Sequence, residues 1–321
     1  MRRVAALATA AVASLVLAAC GGGASADGEY KIGISMILDH PSLNQARDGF
    51  KDALEEAGYE VTYDEQNAQG DSSVAASIAG NFAADGDMDM VLAVATTTAI
   101  AAAQAITDIP VLFTAVTDPA GSGLVESWEA PGGNVTGTSD KNPVKEQLEL
   151  LLEIDPDVKT VGIVYSSKEE NSYVQVEWAE EAAVELGLTI ESVTIVEPGD
   201  IPNAAESLDV DAYYIPTDNV IVGAIDSIIG VAENRQVPVI VGEGDSVERG
   251  GIATYGMSYY ELGLQTGAMA IRILEGADPA TTPVETQSDL ALYLNLGAAE
   301  RMGVTIPQAM IDRAEPENIV E

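Results

Sequence analysis

Val91-Leu92-Ala93-Val94-Ala95-Thr96-Thr97-Thr98 is a short apolar run that ends in three hydroxyl residues. A helical stretch follows it, then Ile109-Pro110-Val111 and a second apolar run ending near Thr117-Asp118. In the second half of the chain the arrangement returns. Tyr213-Tyr214-Ile215-Pro216-Thr217-Asp218-Asn219 precedes a helical stretch, then Val237-Pro238-Val239, then a run ending near Gly244-Asp245-Ser246. The spacing of the matches drifts by several residues, so the echo is one of architecture. It predicts two related α/β units with equivalent crevices.

Outward from these stretches the same alternation continues. Residues 31–37, 90–95, 110–115, 160–165, 189–195, 212–215, 238–241 and 252–255 read as strands. Residues 41–57, 72–84, 144–154, 172–186, 220–234 and 259–275 read as helices, with Pro41 suited to a first turn and Gly58 to a stop. Strands alternating with helices give parallel sheets covered on both faces. The predicted class is therefore α/β, with two doubly wound parallel-sheet lobes.

Composition bounds the function. The 321 residues are about two domains' worth, and 47% of them are apolar, enough to fill real cores. Asp plus Glu number 52 against 14 Lys plus Arg, a net charge of −38. Such a surface repels nucleic acid and anionic headgroups, which excludes nucleic acid as a partner. Cys20 is the only cysteine and His40 the only histidine, so disulfides, Cys/His metal sites and His-dependent triads lose their basis. No cofactor, metal or catalytic residue is expected.

Residues 1–19 read as a secretory signal: Arg2 and Arg3, then an apolar run too short for a membrane span. The run ends in Leu17-Ala18-Ala19-Cys20, which resembles the bacterial lipobox. The resemblance implies cleavage before Cys20 and lipid on its sulfur. Residues 20–29 would then be the anchor and a glycine-rich tether. The expected location is extracytoplasmic, lipid-anchored to the cell membrane, with no later segment long and apolar enough to span it.

Small polar clusters gather at the carboxyl ends of the strands: Thr96 to Thr98, Thr117-Asp118, Ser139-Asp140, Asn171-Ser172, Thr217 to Asn219 and Asp245-Ser246. Ligands of open α/β sheets bind at that edge, where helix N-termini present free N–H groups. A small-molecule site between the two units follows.

Longer stretches carry a family likeness. They are Ile32-Gly33-Ile34 through His40-Pro41-Ser42-Leu43 to Gly49-Phe50; Ile109 through Pro119 with Pro131-Gly132-Gly133-Asn134-Val135-Thr136-Gly137; Glu170-Asn171-Ser172; Pro216-Thr217-Asp218-Asn219; Gly244-Asp245-Ser246-Val247; and Tyr259 through Gly267. Together they resemble the tryptophan/tyrosine-type substrate-binding lipoproteins of ABC importers, within the type I periplasmic-binding-protein fold. The resemblance implies three crossover strands near Gly137-Thr138, Gly256-Met257 and Glu285-Thr286. One lobe is then 30–137 plus 257–284, and the other 138–256 plus 285–321. It also implies no enzyme activity, a monomer, delivery to ABC permease subunits, and a small amino acid as cargo, aromatic such as Trp, Tyr or Phe.

A zwitterion needs two opposite anchors. Thr96, Thr97 and Thr98 open a helix whose N–H groups and hydroxyls suit a carboxylate. Asp218 is expected to hold the ammonium, helped by Thr217 and Asn219. Asp245 serves as a second acceptor or as a cap of its own turn. Asn171 and Ser172 face the same crevice, and Thr117 and Ser139 join them, although turn contexts also account for that pair. His40 is a turn residue or touches the ligand's edge.

Other motifs fail. Asp85-Gly86-Asp87-Met88-Asp89 starts like a calcium loop but has Met90 where glycine is required. Gly242-Glu243-Gly244 lacks the third glycine of a dinucleotide fingerprint, and no phosphate loop or nucleophile elbow occurs. A sugar or nucleoside cargo is the alternative on the same fold, weakened because Trp128 and Trp178 fall away from the rim. A sensory module without transport is the other.

Overall fold

A computed structural model describes residues 29–288 and 290–321. The signal sequence, Cys20 and the glycine-rich stretch up to residue 28 lie outside the described residues.

Strand β1 (Glu29–Met36) is buried from Ile32 onward, as a central parallel strand with both faces covered must be. After it come α1 (Pro41–Glu56), β2 (Glu60–Asn67), α2 (Ser72–Ala84), β3 (Met90–Val94), α3 (Thr96–Ala105), β4 (Val111–Thr114) and β5 (Val135–Ser139). These strands pair in parallel in the order β5-β4-β3-β1-β2.

The second lobe repeats the winding. It runs through α4 (Val144–Ile154), β6 (Thr160–Ser166), α5 (Glu170–Leu186), β7 (Thr189–Ile195), α6 (Ile201–Ser207) and β8 (Ala212–Ile215). Then follow α7 (Asn219–Gly223), α8 (Asp226–Arg235), β9 (Val239–Val241), α9 (Gly244–Glu248) and β10 (Ala253–Gly256). The order β10-β9-β8-β6-β7, again parallel, is the first lobe's order shifted by five strands.

The chain now returns. Helix α10 (Tyr259–Leu274) lies against α1, and β11 (Glu285–Thr286) adds to β5. Strand β12 (Ala291–Asn295) joins the second sheet antiparallel to β10, followed by α11 (Leu296–Arg301), α12 (Gln308–Ile311) and β13 (Ile319–Val320) beside β12. Sheet membership thus changes at residues 140–143, 257–258 and 287–290.

Two separate cores match the two sheets. Phe50, Leu92 and Phe113 sit in one, and Leu148, Ile163, Tyr214 and Leu294 in the other. Helices α1 and α10 touch backbone to backbone because glycine stands at the contact. A Cβ on Gly263 would come within 2.1 Å of the Ala46 carbonyl oxygen, and one on Gly49 within 2.2 Å of the Tyr260 oxygen.

The doubly wound α/β reading is the observed fold. One helix differs: residues 220–234 are broken into α7 and α8, because the chain leaves helical geometry at Ala224 (φ −118°, ψ 29°) just after Gly223. Among the described residues, no helix is long and apolar enough to cross a membrane.

Candidate ligand-binding site

In each sheet the chain winds one way to the second strand and the other way to the third. The strand ends on either side of that reversal open a crevice. In the first lobe these are the segments after β1 and β3; in the second, those after β6 and β8. The two crevices face each other across a small cavity.

From the first lobe the cavity receives His40, Ser42 and Leu43 at the start of α1, Ala115 and Thr117 after β4, and Tyr259 of α10. The crossing segment adds Asp140. The second lobe brings Asn171, Thr217, Asn219, Val222 and Glu243. Asp140 and Glu243 are its acids, and among the described residues neither lysine nor arginine lines it.

His40 precedes Pro41, which holds it extended (φ −149°), and its side chain caps nothing. The ring reaches across the cleft instead, with Nε2 3.1 Å from Asn219 Oδ1. Asn219 commits its own Nδ2 to Glu169, so its oxygen faces the ring and Nε2 is the donor. Burial pushes the imidazole down to about 4, leaving it neutral with a bare, unpartnered Nδ1. A second bond ties the lobes, from Gln45 Nε2 of α1 to Asp245 Oδ1 at 2.8 Å. The lobes are closed upon each other.

The second-lobe rim is a carboxylate scaffold. Glu169 Oε2 accepts from Asn171 Nδ2 (3.1 Å), Asn219 N (3.0 Å) and Asn219 Nδ2 (2.8 Å). Burial and the nearby Asp218 charge push its carboxyl up to about 8. Glu243 accepts from Asp245 N and Ser246 Oγ, and burial with the charge of Asp245 raises it to about 7. Asp140 accepts from Thr117 Oγ1 (3.1 Å) and Tyr259 Oη (2.7 Å), and burial raises it as well.

Of the residues expected from the sequence to touch ligand, Thr117, Asn171, Thr217 and Asn219 meet in the cavity. Asp218 does not line it. Its Oδ1 accepts from Ile221 N (2.9 Å), and its Oδ2 from Ser166 N (2.6 Å) and Ser172 Oγ (2.7 Å). Both oxygens are spent on the protein, so the ammonium role expected for Asp218 gives way to a structural cap, with Ser172 part of it. Ser139 Oγ likewise donates to Thr117 O and receives Lys141 N, shaping the turn behind the cavity. Asp245 bridges to Gln45 instead of capping a turn; the cap of α9 is Glu243.

The three threonines divide. Thr98 Oγ1 back-bonds to Val94 O (2.6 Å) and Ala95 O (2.9 Å), a structural use. Thr97 lines a neighbouring pocket between the lobes, facing Lys168 and Glu169. Thr96 is 1% exposed with Oγ1 unpartnered. It opens a helix whose N-cap, Ala95, lies at φ 81°, ψ 161° and offers no side-chain bond. That backbone region is essentially reserved for glycine, and strain of this kind gathers at functional sites.

The sequence singles out none of Ser42, Glu169 and Glu243 as site residues, and places Asp140 only within a rim cluster. Glu169 was findable as the residue before the Glu170-Asn171-Ser172 motif. In so acidic a chain one more glutamate carries little signal. Trp128 and Trp178 line a separate groove on the side of the crossings, away from the cavity.

The family model described as ABC transporter substrate binding protein matches residues 31–317. A "Tyrosine-binding protein" of Clostridioides difficile (strain R20291) is 38% identical over 273 residues, covering 83% of this chain and 79% of that protein. A solved structure of an ABC domain in complex with L-Trp, from Streptococcus pneumonia, is 36% identical with a TM-score of 0.87, covering 92% of this chain and 100% of that one. The ligand-free, open structure of a substrate binding protein with adhesive properties, from Clostridium difficile, is 38% identical, yet its TM-score is 0.68 over 91% of this chain and 98% of that one. Sequence identity to the two is nearly the same; likeness in shape favours the ligand-bound relative.

Proposed function

The chain belongs to the ABC transporter substrate binding protein family, and from that premise we propose that it binds an aromatic amino acid between its lobes and delivers it to a membrane permease for import. One observation carries the reading: apart from the bare His40 Nδ1, the unpartnered polar atoms of the cleft are oxygens sorted by lobe. On the first lobe they are the hydroxyls of Ser42 and Thr96, beside the uncapped start of α3. On the second they are the acceptors Asn171 Oδ1 and Glu169 Oε1.

An α-amino acid carries the complementary ends. Its carboxylate accepts from hydroxyls and helix N–H groups, and its ammonium donates to amide and carboxylate oxygens. Leu43, Ala115, Val222 and Tyr259 supply apolar wall for a side chain. A tyrosine-binding relative and an L-Trp complex among its relatives support an aromatic one. Leu17-Ala18-Ala19-Cys20 supports an acylated Cys20 that tethers the protein outside the membrane, where a permease would receive the ligand.

Isothermal titration with L-tyrosine, L-tryptophan, L-phenylalanine, L-leucine and glucose tests the cargo. Aromatic amino acids are expected to bind with Kd below about 1 μM, corresponding to about 8 kcal/mol. Tight glucose binding, or silence from all the amino acids, overturns the reading.

A further inference from the structure

Among the described residues, Glu169 Oε1 is the carboxylate oxygen that is both buried and without a hydrogen-bond partner. We propose that Glu169 is the counter-charge for the ligand's ammonium and releases a proton to solvent as the ligand binds, so that the site selects for a positively charged nitrogen. The proposal rests on the amino-acid reading given above and deepens it.

The geometry comes first. Three N–H donors from Asn171 and Asn219 converge on Oε2 and fix the plane of the carboxyl group. Oε1 is left over, at a residue that lines the inter-lobe pocket shared with Thr97. Asp218, Glu243 and Asp140 each have both oxygens engaged by the protein. Glu169 alone of this buried set keeps an acceptor for a ligand.

The surroundings then decide its charge. Asp218, before α7, is a like charge. Lys168 lines the same pocket, but its ammonium pairs with Glu197 at 2.8 Å. Asp71, at the start of α2, lines the same pocket and is another acid. His40, at the start of α1, reaches Glu169 through Asn219 and is neutral. Among the described residues no cation pairs with Glu169, and a buried negative charge is costly unpaired. In the empty closed cleft the carboxyl therefore keeps its proton at neutral pH, with burial raising it to about 8. When an ammonium arrives, the Oε1–H bond breaks, the proton passes to buffer, and a charge-assisted N–H···O bond forms. A ligand lacking the nitrogen cannot supply the charge.

Titration calorimetry of the protein with L-tyrosine at pH 7, in two buffers of different ionisation heat, reads the step directly. About one proton is expected to leave per ligand bound, and affinity to rise between pH 6 and pH 8 as that proton becomes easier to lose. Glu169→Gln keeps the shape and the Oε2-side contacts; it should abolish the release and weaken binding about tenfold or more. The desamino analogue 3-(4-hydroxyphenyl)propionate should not bind. Tight binding of L-tyrosine with no proton exchange overturns this proposal alone, as does equal release from Glu169→Gln; the wild-type buffer comparison stands even where the variant folds poorly. No binding by any aromatic amino acid overturns the functional reading and this step together.

Discussion

Helices α3 and α7 begin at equivalent places, each directly after the third strand of a doubly wound sheet, and they begin in opposite ways. At α7 the Asp218 side chain caps the helix and also ties down Ser166 and Ser172. At α3 the cap position is Ala95, strained and without a side-chain bond, and Thr96 has a hydroxyl to spare. A helix end finished by its own carboxylate is closed to ligand. One left unfinished keeps its N–H groups for an anion. Two lobes of the same winding thus present different chemistry: spare hydroxyl donors and the bare His40 Nδ1 on the first, spare oxygen acceptors on the second.

Three substitutions probe that contrast. Asp218→Ala leaves two backbone N–H groups and the Ser172 hydroxyl buried without partners. It should lower stability by about 3 kcal/mol, at 1–3 kcal/mol for each stranded group and with partial relief by water. Urea unfolding would show it; a loss under 1 kcal/mol would mean the cap is not structural and Asp218 is free for ligand after all. At the unfinished helix the sign reverses. Ala95→Gly removes the left-handed strain and should raise the unfolding free energy by about 1 kcal/mol, checked in the same urea experiment. Destabilisation there would break the comparison. Smallest is Gln45→Ala, which deletes one cross-lobe bond to Asp245 at the edge of the cleft. Affinity for L-tyrosine should fall less than fivefold, in line with about 0.5–1 kcal/mol for a single part-exposed hydrogen bond.

The fold was largely legible because its strands are short runs of Val, Ile, Leu and Ala buried on both faces. Strand β2 escaped notice since it alternates half-buried residues with exposed Glu60 and Glu65, as the sheet's edge allows. The two-residue strands β11 and β13 are too brief for any periodicity. In the site, rim positions were legible because strand ends are. Which rim carboxylate stays free was not: Ser166 and Ser172 lie 52 and 46 residues from Asp218, and only folding brings them onto it. The same folding takes all three donors on Glu169 to one oxygen and spares the other.

Helix α10 has a consequence for how the molecule is made. It covers the α1 face around Ala46, Gly49 and Phe50, yet it is encoded after α4 through β10 of the second lobe. A chain emerging in order can form most of its second lobe while the first still lacks a wall. During that interval a helix-long apolar groove stands open, the kind of surface on which partly finished chains aggregate. The late arrival of residues 259–274 is what seals it.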